Sequence, residues 1–215
     1  MSEGELSDRQ RAVLDAALSL LVERGDKLTM TAVAREASCS KETLYKWFGD
    51  RDGLLAATVR HQASRIRGLA IDDGHLDRES LRSGLERFAL DWLQVITGPT
   101  SIALNRLAVG QAGTSSNDLG LIVLRNGPDG LRKRLTPLLL GARDEGLLAF
   151  EDPEEAFGTF FGLVVGDVQL RMLLGDPQPV GARDLAHHAA TAAQQFLTLY
   201  GTARPERSGS PAGRT

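Results

Sequence analysis

Apolar residues recur at three- and four-residue spacings along nearly the whole chain, which is the pattern of helices that each bury one face. Near the N-terminus Val13, Leu14, Ala17, Leu20 and Leu21 form such a stripe, opened by a Ser7 to Gln10 capping box and stopped by Gly25. A second, two-turn helix follows in "MTAVAREA", capped by Thr29, with Met30, Val33, Ala34 and Ala37 as its narrow apolar side. Ser38, Cys39 and Ser40 then separate it from "KETLYKWF", for which Ser40 is the N-cap, and Asp50 caps a longer helix beginning "RDGLLAATVRHQASRIRGL". Further helical runs are "RESLRSGLERFALDWLQVI", "SIALNRLAVGQA", "DLGLIVLRN", "DGLRKRLTPLLLGARDEG", "PEEAFGTFFGLVVGDVQLRMLLG" and "ARDLAHHAATAAQQFLTLY". Loops rich in Gly, Pro, Ser and Asp divide them. The expected fold is all-α: an N-terminal three-helix unit over residues 6–50, a larger helical body over 51–200, and a disordered Pro/Gly/Ser-rich tail over 201–215.

Two short helices joined by a turn of three or four residues make a helix-turn-helix. On the second of them, at about 100° per residue, Leu44 and Phe48 share the inward side. Glu42, Thr43, Lys46 and Trp47 spread over the other, with Lys41 and Tyr45 flanking. Exposed aromatics beside lysines gain from a partner surface, and the major groove of DNA is one that a helix N-terminus can enter. Lys41 can donate to guanine, Glu42 can accept from the cytosine amino group, and Thr43 can reach a base or a phosphate. Tyr45, Trp47 and Arg51 suit phosphate oxygens. Each has a plainer alternative. Glu42 also favours the helix dipole, Thr29 and Ser40 are caps in any case, Cys39 reads as a small buried apolar residue, and Trp47 can serve a helix interface.

Composition narrows the class. With 42% hydrophobic and 25% charged residues the 215-residue chain is an ordinary globular protein with a net charge of −3. Residues 1–70 hold 11 Lys and Arg against 10 Asp and Glu, and the rest holds 14 against 18, a small bias that puts the positive charge at the helix-turn-helix end. The lone Cys39 excludes an intrachain disulfide, and the N-terminus has no basic-then-apolar leader, so a cytoplasmic protein is expected. The longest apolar stretch, Ala156 to Gly166, is well short of the roughly 18 to 20 residues of a membrane span. His61, His75, His187 and His188 lack zinc-ligand spacing with the cysteine. There is also no phosphate-binding Gly-Lys loop, Gly-x-Ser-x-Gly elbow or His-Glu-x-x-His. Neither an enzyme, a metal nor a cofactor is expected.

The segment "LTMTAVAREASCSKETLYKWFGDRDGLL", from Leu28 to Leu55, resembles the DNA-binding segment of TetR/AcrR family regulators. Thr29, Val33, Ala34, Ala37, Ser40, Thr43, Leu44, Tyr45, Phe48 and Arg51 stand where the family pattern wants them. Ser38 and Cys39 depart from the family's usual Gly and Val, and if the turn needs a positive φ at 38, serine there carries strain. The stretch 138–176 is similar to the AefR-like branch. The resemblance implies that Thr31 approaches bases, that the fourth helix links the DNA-binding unit to the body, and that two chains pair on a palindromic double-stranded operator. It also implies a small-molecule effector bound in the body, whose selection of a different half-site spacing releases the DNA. Phe88, Trp92, Arg106, Leu107, Phe161 and Asp167 are candidate pocket residues, with core packing or interhelical pairing as the plainer role of each. Gly158, Gly162 and Gly166 recur inside an apolar helical run, each costing roughly 1 kcal/mol relative to alanine. Close approach of another helix, across a dimer seam or inside the domain, is one compensation, and room for a ligand is another. The rival reading of the whole chain is an all-helical ligand-binding or enzymatic domain whose first helices contact protein.

Overall fold

A computed structural model describes residues 6–24, 28–66, 76–112, 119–176 and 185–202. Among them are eleven α-helices: α1 Asp8–Arg24, α2 Met30–Glu36, α3 Lys41–Phe48, α4 Arg51–Ala63, α5 Arg78–Thr97, α6 Pro99–Gln111, α7 Leu119–Asn126, α8 Pro128–Asp144, α9 Pro153–Val165, α10 Val168–Leu173 and α11 Leu185–Tyr200. The helix starts follow side-chain chemistry. Ser7 and Gln10 exchange the reciprocal bonds of a capping box. Thr29 accepts from the Ala32 N–H, Ser40 from Thr43 and Asp50 from Gly53, while Asp77 forms a further box with Ser80. The expected stop at Gly25 lies outside the described residues, as do residues 203–215 of the expected tail.

Two apolar clusters organise the chain. The first gathers Val13, Leu14, Leu21, Val33 and Leu44 with Leu54, Leu55 and Val59 of α4. Leu104 and Ala108 of α6 and Leu119 of α7 complete it, so the N-terminal unit is packed on the body. The second centres on α5, α8, α9 and α11, where Phe88, Trp92, Phe160 and Phe196 are almost wholly buried. α4 itself belongs to the first. Its first turns sit in the first cluster, and Ile66 just beyond its end sits in the second. The guanidinium of Arg134 on α8 donates to the Ala63 carbonyl at 2.7 Å and fixes that end of α4.

Two expectations are corrected. The run 153–175 is not one helix, because Gly166 adopts φ +46°, ψ −128° and divides α9 from α10. Gly166 is therefore a helix stop of the kind only glycine makes without strain, not a member of a smooth strip. Gly201 and Thr202, expected in the tail, are held in place. Gly201 bridges to Leu148, and Thr202 donates from its N–H to the Leu147 carbonyl and from its hydroxyl to that of Gly146.

Candidate nucleic-acid interface and ligand cavity

The turn between α2 and α3 is built by backbone chemistry. Ser38 donates to the Arg35 carbonyl at 3.3 Å and Cys39 to that of Ala34 at 2.9 Å, the paired bonds of a Schellman stop. This stop requires a left-handed residue, and Ser38 supplies it with φ +49°. The chain re-enters helical geometry at Lys41, after the extended N-cap Ser40, whose hydroxyl takes the Thr43 N–H at 3.1 Å and also lies 3.0 Å from the Thr43 hydroxyl.

This geometry leaves one side of α3 open. Leu44 is fully buried and Phe48 packs against the first cluster. Lys41, Glu42 and Lys46 are exposed and Tyr45 is 52% exposed. Thr31 and Arg35 are exposed on α2. The exposed cations of the surface are thus Lys41, Lys46 and Arg35, the last not singled out from sequence. Trp47 is half-buried, packed against the first cluster with its ring edge-on to Phe48 at 6.2 Å, so much of it serves the rim of the core. Arg51 is also engaged: its Nε donates to the Leu28 carbonyl at 3.1 Å, tying the start of α4 to the start of α2. Glu42 is turned toward the helix start. Its own backbone N–H, then the Ser40 hydroxyl, then Lys41 hold its carboxyl below the usual carboxylate range.

In the body, a cavity of about 190 Å³ lies among α4, α5, α6, α7, α8, α9 and α10. Trp92 and Phe161 line it, their rings 5.3 Å apart in an edge contact. Phe88 does not; it stands behind Trp92 in the core, at 5.9 Å. Arg106 and Leu107 lie away from this cavity. The Arg106 guanidinium is used by the carbonyls of Met172 and Leu173 at 2.9 and 3.2 Å, and Leu107 packs toward the first cluster. Asp167 lies outside it too, exposed beside Arg171 at 3.6 Å. A cavity is bounded by helices far apart in sequence, and a cation on an apolar helix, as Arg106 shows, is as readily used to cap the end of another helix.

The residue that sequence reasoning missed is Gln62. It is 7% exposed, lines the cavity from α4, and its Oε1 has no hydrogen-bond partner. A signal was present, since Gln62 interrupts the Leu55, Val59, Ile66 stripe of α4 at a helical spacing where apolar residues are otherwise the rule. The other polar groups facing the cavity are Ser101, Asn105 and Gln169. The Asn105 amide donates to the Ser101 carbonyl at 2.8 Å.

Gly158 and Gly162 lie on the outer side of α9. Both are exposed, and a Cβ on either would meet no atom within 4 Å. They face neither another helix of this chain nor the cavity. Among the described residues no group of three or more His, Cys, Asp or Glu could hold a metal ion, and no helix is long and apolar enough to cross a membrane.

A capped helix-turn-helix with an open reading helix, joined through one helix to a hollow helical body, defines a class of ligand-binding regulators. Residues 13–58 match the model of bacterial regulatory proteins of the tetR family, and residues 83–202 match that of the AefR-like transcriptional repressor C-terminal domain. The chain belongs to the TetR family of transcriptional regulators, and its body is of the AefR-like kind. A TetR transcriptional regulator of Agrobacterium tumefaciens, seen in a crystal structure, is 47% identical with a TM-score of 0.76, over 92% of this chain and 96% of its own. The HTH-type transcriptional regulator YvkB of Bacillus subtilis (strain 168) is 24% identical over 77% of this chain and 84% of its own length. The HTH-type transcriptional regulator BetI of Rhizobium meliloti (strain 1021) is 34% identical over 64 residues, a match that spans 29% of this chain and 32% of that relative. DNA binding through the helix-turn-helix and ligand binding in the body are typical of this family.

Proposed function

We propose that this protein is a cytoplasmic repressor that grips a palindromic operator as a homodimer and lets go when a small molecule fills the cavity of the body. The observation that carries the reading is the double membership of α4. The helix whose Leu54, Leu55 and Val59 anchor the N-terminal cluster is also, through Val59, Gln62 and Ala63, a wall of the cavity. A ligand that moves this wall moves the helix-turn-helix with it. A ligand shifts the equilibrium only by its preference for one arrangement, and the two half-sites of a palindrome demand a spacing of about 34 to 36 Å or a multiple of it.

On the DNA side, Lys41, Thr43 and Thr31 are the groups assigned to base edges, with Tyr45 and Lys46 on phosphates. Glu42, Ser40 and Thr29 shape the helix starts, while Trp47 and Arg51 hold α3 and α4 in position behind the reading face, from which each can still reach a phosphate. For the dimer, the open strip of Gly158 and Gly162 favours close helix contact with a second copy, and α11, packed on α9, exposes Leu199 beside its buried face.

The test is electrophoretic retardation of the DNA upstream of the protein's own coding sequence, with random duplex as competitor. Dimer stoichiometry and a Lys41→Ala variant that still binds duplex but loses its preference for the upstream sequence would support the reading. Equal binding of upstream and random DNA by the unaltered protein would contradict it, and absence of any binding would return the open face of α3 to a protein-contact role.

A further inference from the structure

The cavity has a chemistry of its own. Among the described residues that line it none is an Asp, Glu, Lys, Arg or His, so an ion placed there would be stripped of water without a counter-charge from them. Its walls are mainly hydrocarbon, with Trp92 and Phe161 supplying two ring surfaces. The volume of about 190 Å³ is somewhat larger than the roughly 150 Å³ apolar cavity that accepts benzene, and below the roughly 300 Å³ at which drug-sized pockets begin. It fits one ring with a short substituent. In this apolar space the Gln62 Oε1 is a buried acceptor that none of the described residues satisfies. Leaving such a group without a partner is costly, so a guest that brings a donor gains more than its hydrocarbon alone would give.

We propose that the cavity selects an uncharged, single-ring molecule bearing a hydroxyl, a small phenol or aryl alcohol, and that Gln62 Oε1 accepts a hydrogen bond from that hydroxyl. This rests on the reading of the cavity as the effector site and deepens it: Gln62 becomes the specificity-determining residue, and the bond it forms is made directly to α4. Carboxylate and ammonium analogues of the same shape are refused, because neither finds a counter-charge.

The experiment is calorimetric titration of the full-length protein with three probes that share one 4-ethylphenyl group and differ by at most two heavy atoms, 4-ethylphenol, 4-ethylanisole and 4-ethylbenzoate. The expected order is 4-ethylphenol tighter than 4-ethylanisole by about tenfold, the size of one satisfied buried acceptor, with 4-ethylbenzoate not bound. In Gln62→Leu the phenol loses its advantage and the two neutral probes bind alike, the retained 4-ethylanisole binding showing that the cavity is intact. Equal affinities in the unaltered protein, preference for the benzoate or the ether, a phenol advantage that survives Gln62→Leu, or no binding of any probe would each overturn the proposal. Operator retardation with the same probes separates the two layers. If the phenol preference holds but 4-ethylphenol leaves DNA binding unchanged, the ligand class stands and the effector reading falls. If 4-ethylphenol releases DNA equally well from Gln62→Leu, the effector reading stands and the role of Gln62 falls.

Discussion

Replacing Gly162 by leucine separates the fold of one protomer from its assembly. In the protomer the site is empty, since a Cβ at Gly162 meets no atom within 4 Å and the residue is exposed on α9. No steric cost is therefore expected there, and a leucine is better in a helix than glycine by about 0.8 kcal/mol. At a two-fold seam the same change enters twice, once from each copy. Each inserted side chain costs about 1 to 3 kcal/mol when it meets a close-packed surface. Association should then weaken by at least about 2 kcal/mol, which is roughly thirtyfold in the dimer dissociation constant. Sedimentation velocity across a concentration series measures that constant, and urea unfolding of dilute protein measures the protomer. The expected result is a weaker dimer made of protomers that are no less stable. An unchanged dimer constant would refute the assignment of the glycine strip to the seam, and a destabilised protomer would refute the emptiness of the site.

The remaining predictions concern the reading head and its link to the body. Ser38→Gly relieves the positive φ of the turn, a relief of about 1 to 2 kcal/mol offset by glycine's own entropy cost of about 0.5 to 1, so the urea midpoint should rise at an unchanged slope; a lower midpoint would count against the strain. Gly53→Ala would set a Cβ 1.9 Å from the Phe48 carbonyl oxygen, forcing α3 away from α4. The expected loss is about 1 to 3 kcal/mol together with weaker operator binding, and a variant with native midpoint and affinity would contradict the contact. Arg134→Met removes the donation to Ala63 and should lower stability by about 2 kcal/mol, read from chemical denaturation. Glu42, with its carboxyl held below the ordinary range, gives a stabilising contribution present above the unfolded-state value of about 4.3 and lost as pH falls through its lower folded value. An NMR titration of its side chain that inflects at or above 4.3 would contradict this.

Local chemistry explains what could be read in advance. The caps Ser7, Thr29, Ser40 and Asp50 announce helix starts within one turn, and each is found making its bond. Ser38 stood out because the family pattern has glycine there, and it takes φ +49°. The inward side of α3 followed from angular spacing alone, with Leu44 buried as expected. What escaped depends on partners remote in sequence. The break at Gly166 is hidden because apolar residues at helical spacing resume beyond it in α10. Arg51 looked free beyond a helix end, yet the Leu28 carbonyl 23 residues earlier takes its guanidinium. Aromatic residues on an apolar face do not announce whether they line a void or fill a core, which is why Trp92 and Phe161 border the cavity while Phe88 fills the space behind. Gln62 was the legible exception, overlooked among its apolar neighbours.

The central claim is that the open face of α3 lies against duplex DNA in two copies at once. Fluorescence anisotropy of a labelled upstream duplex, titrated across a salt series, tests it most directly. Lys46 of two protomers, the cation assigned to phosphates, predicts log K falling with log[salt] at a slope of about −1.8 or steeper. A flat salt dependence, or no binding even in dilute buffer, would contradict it.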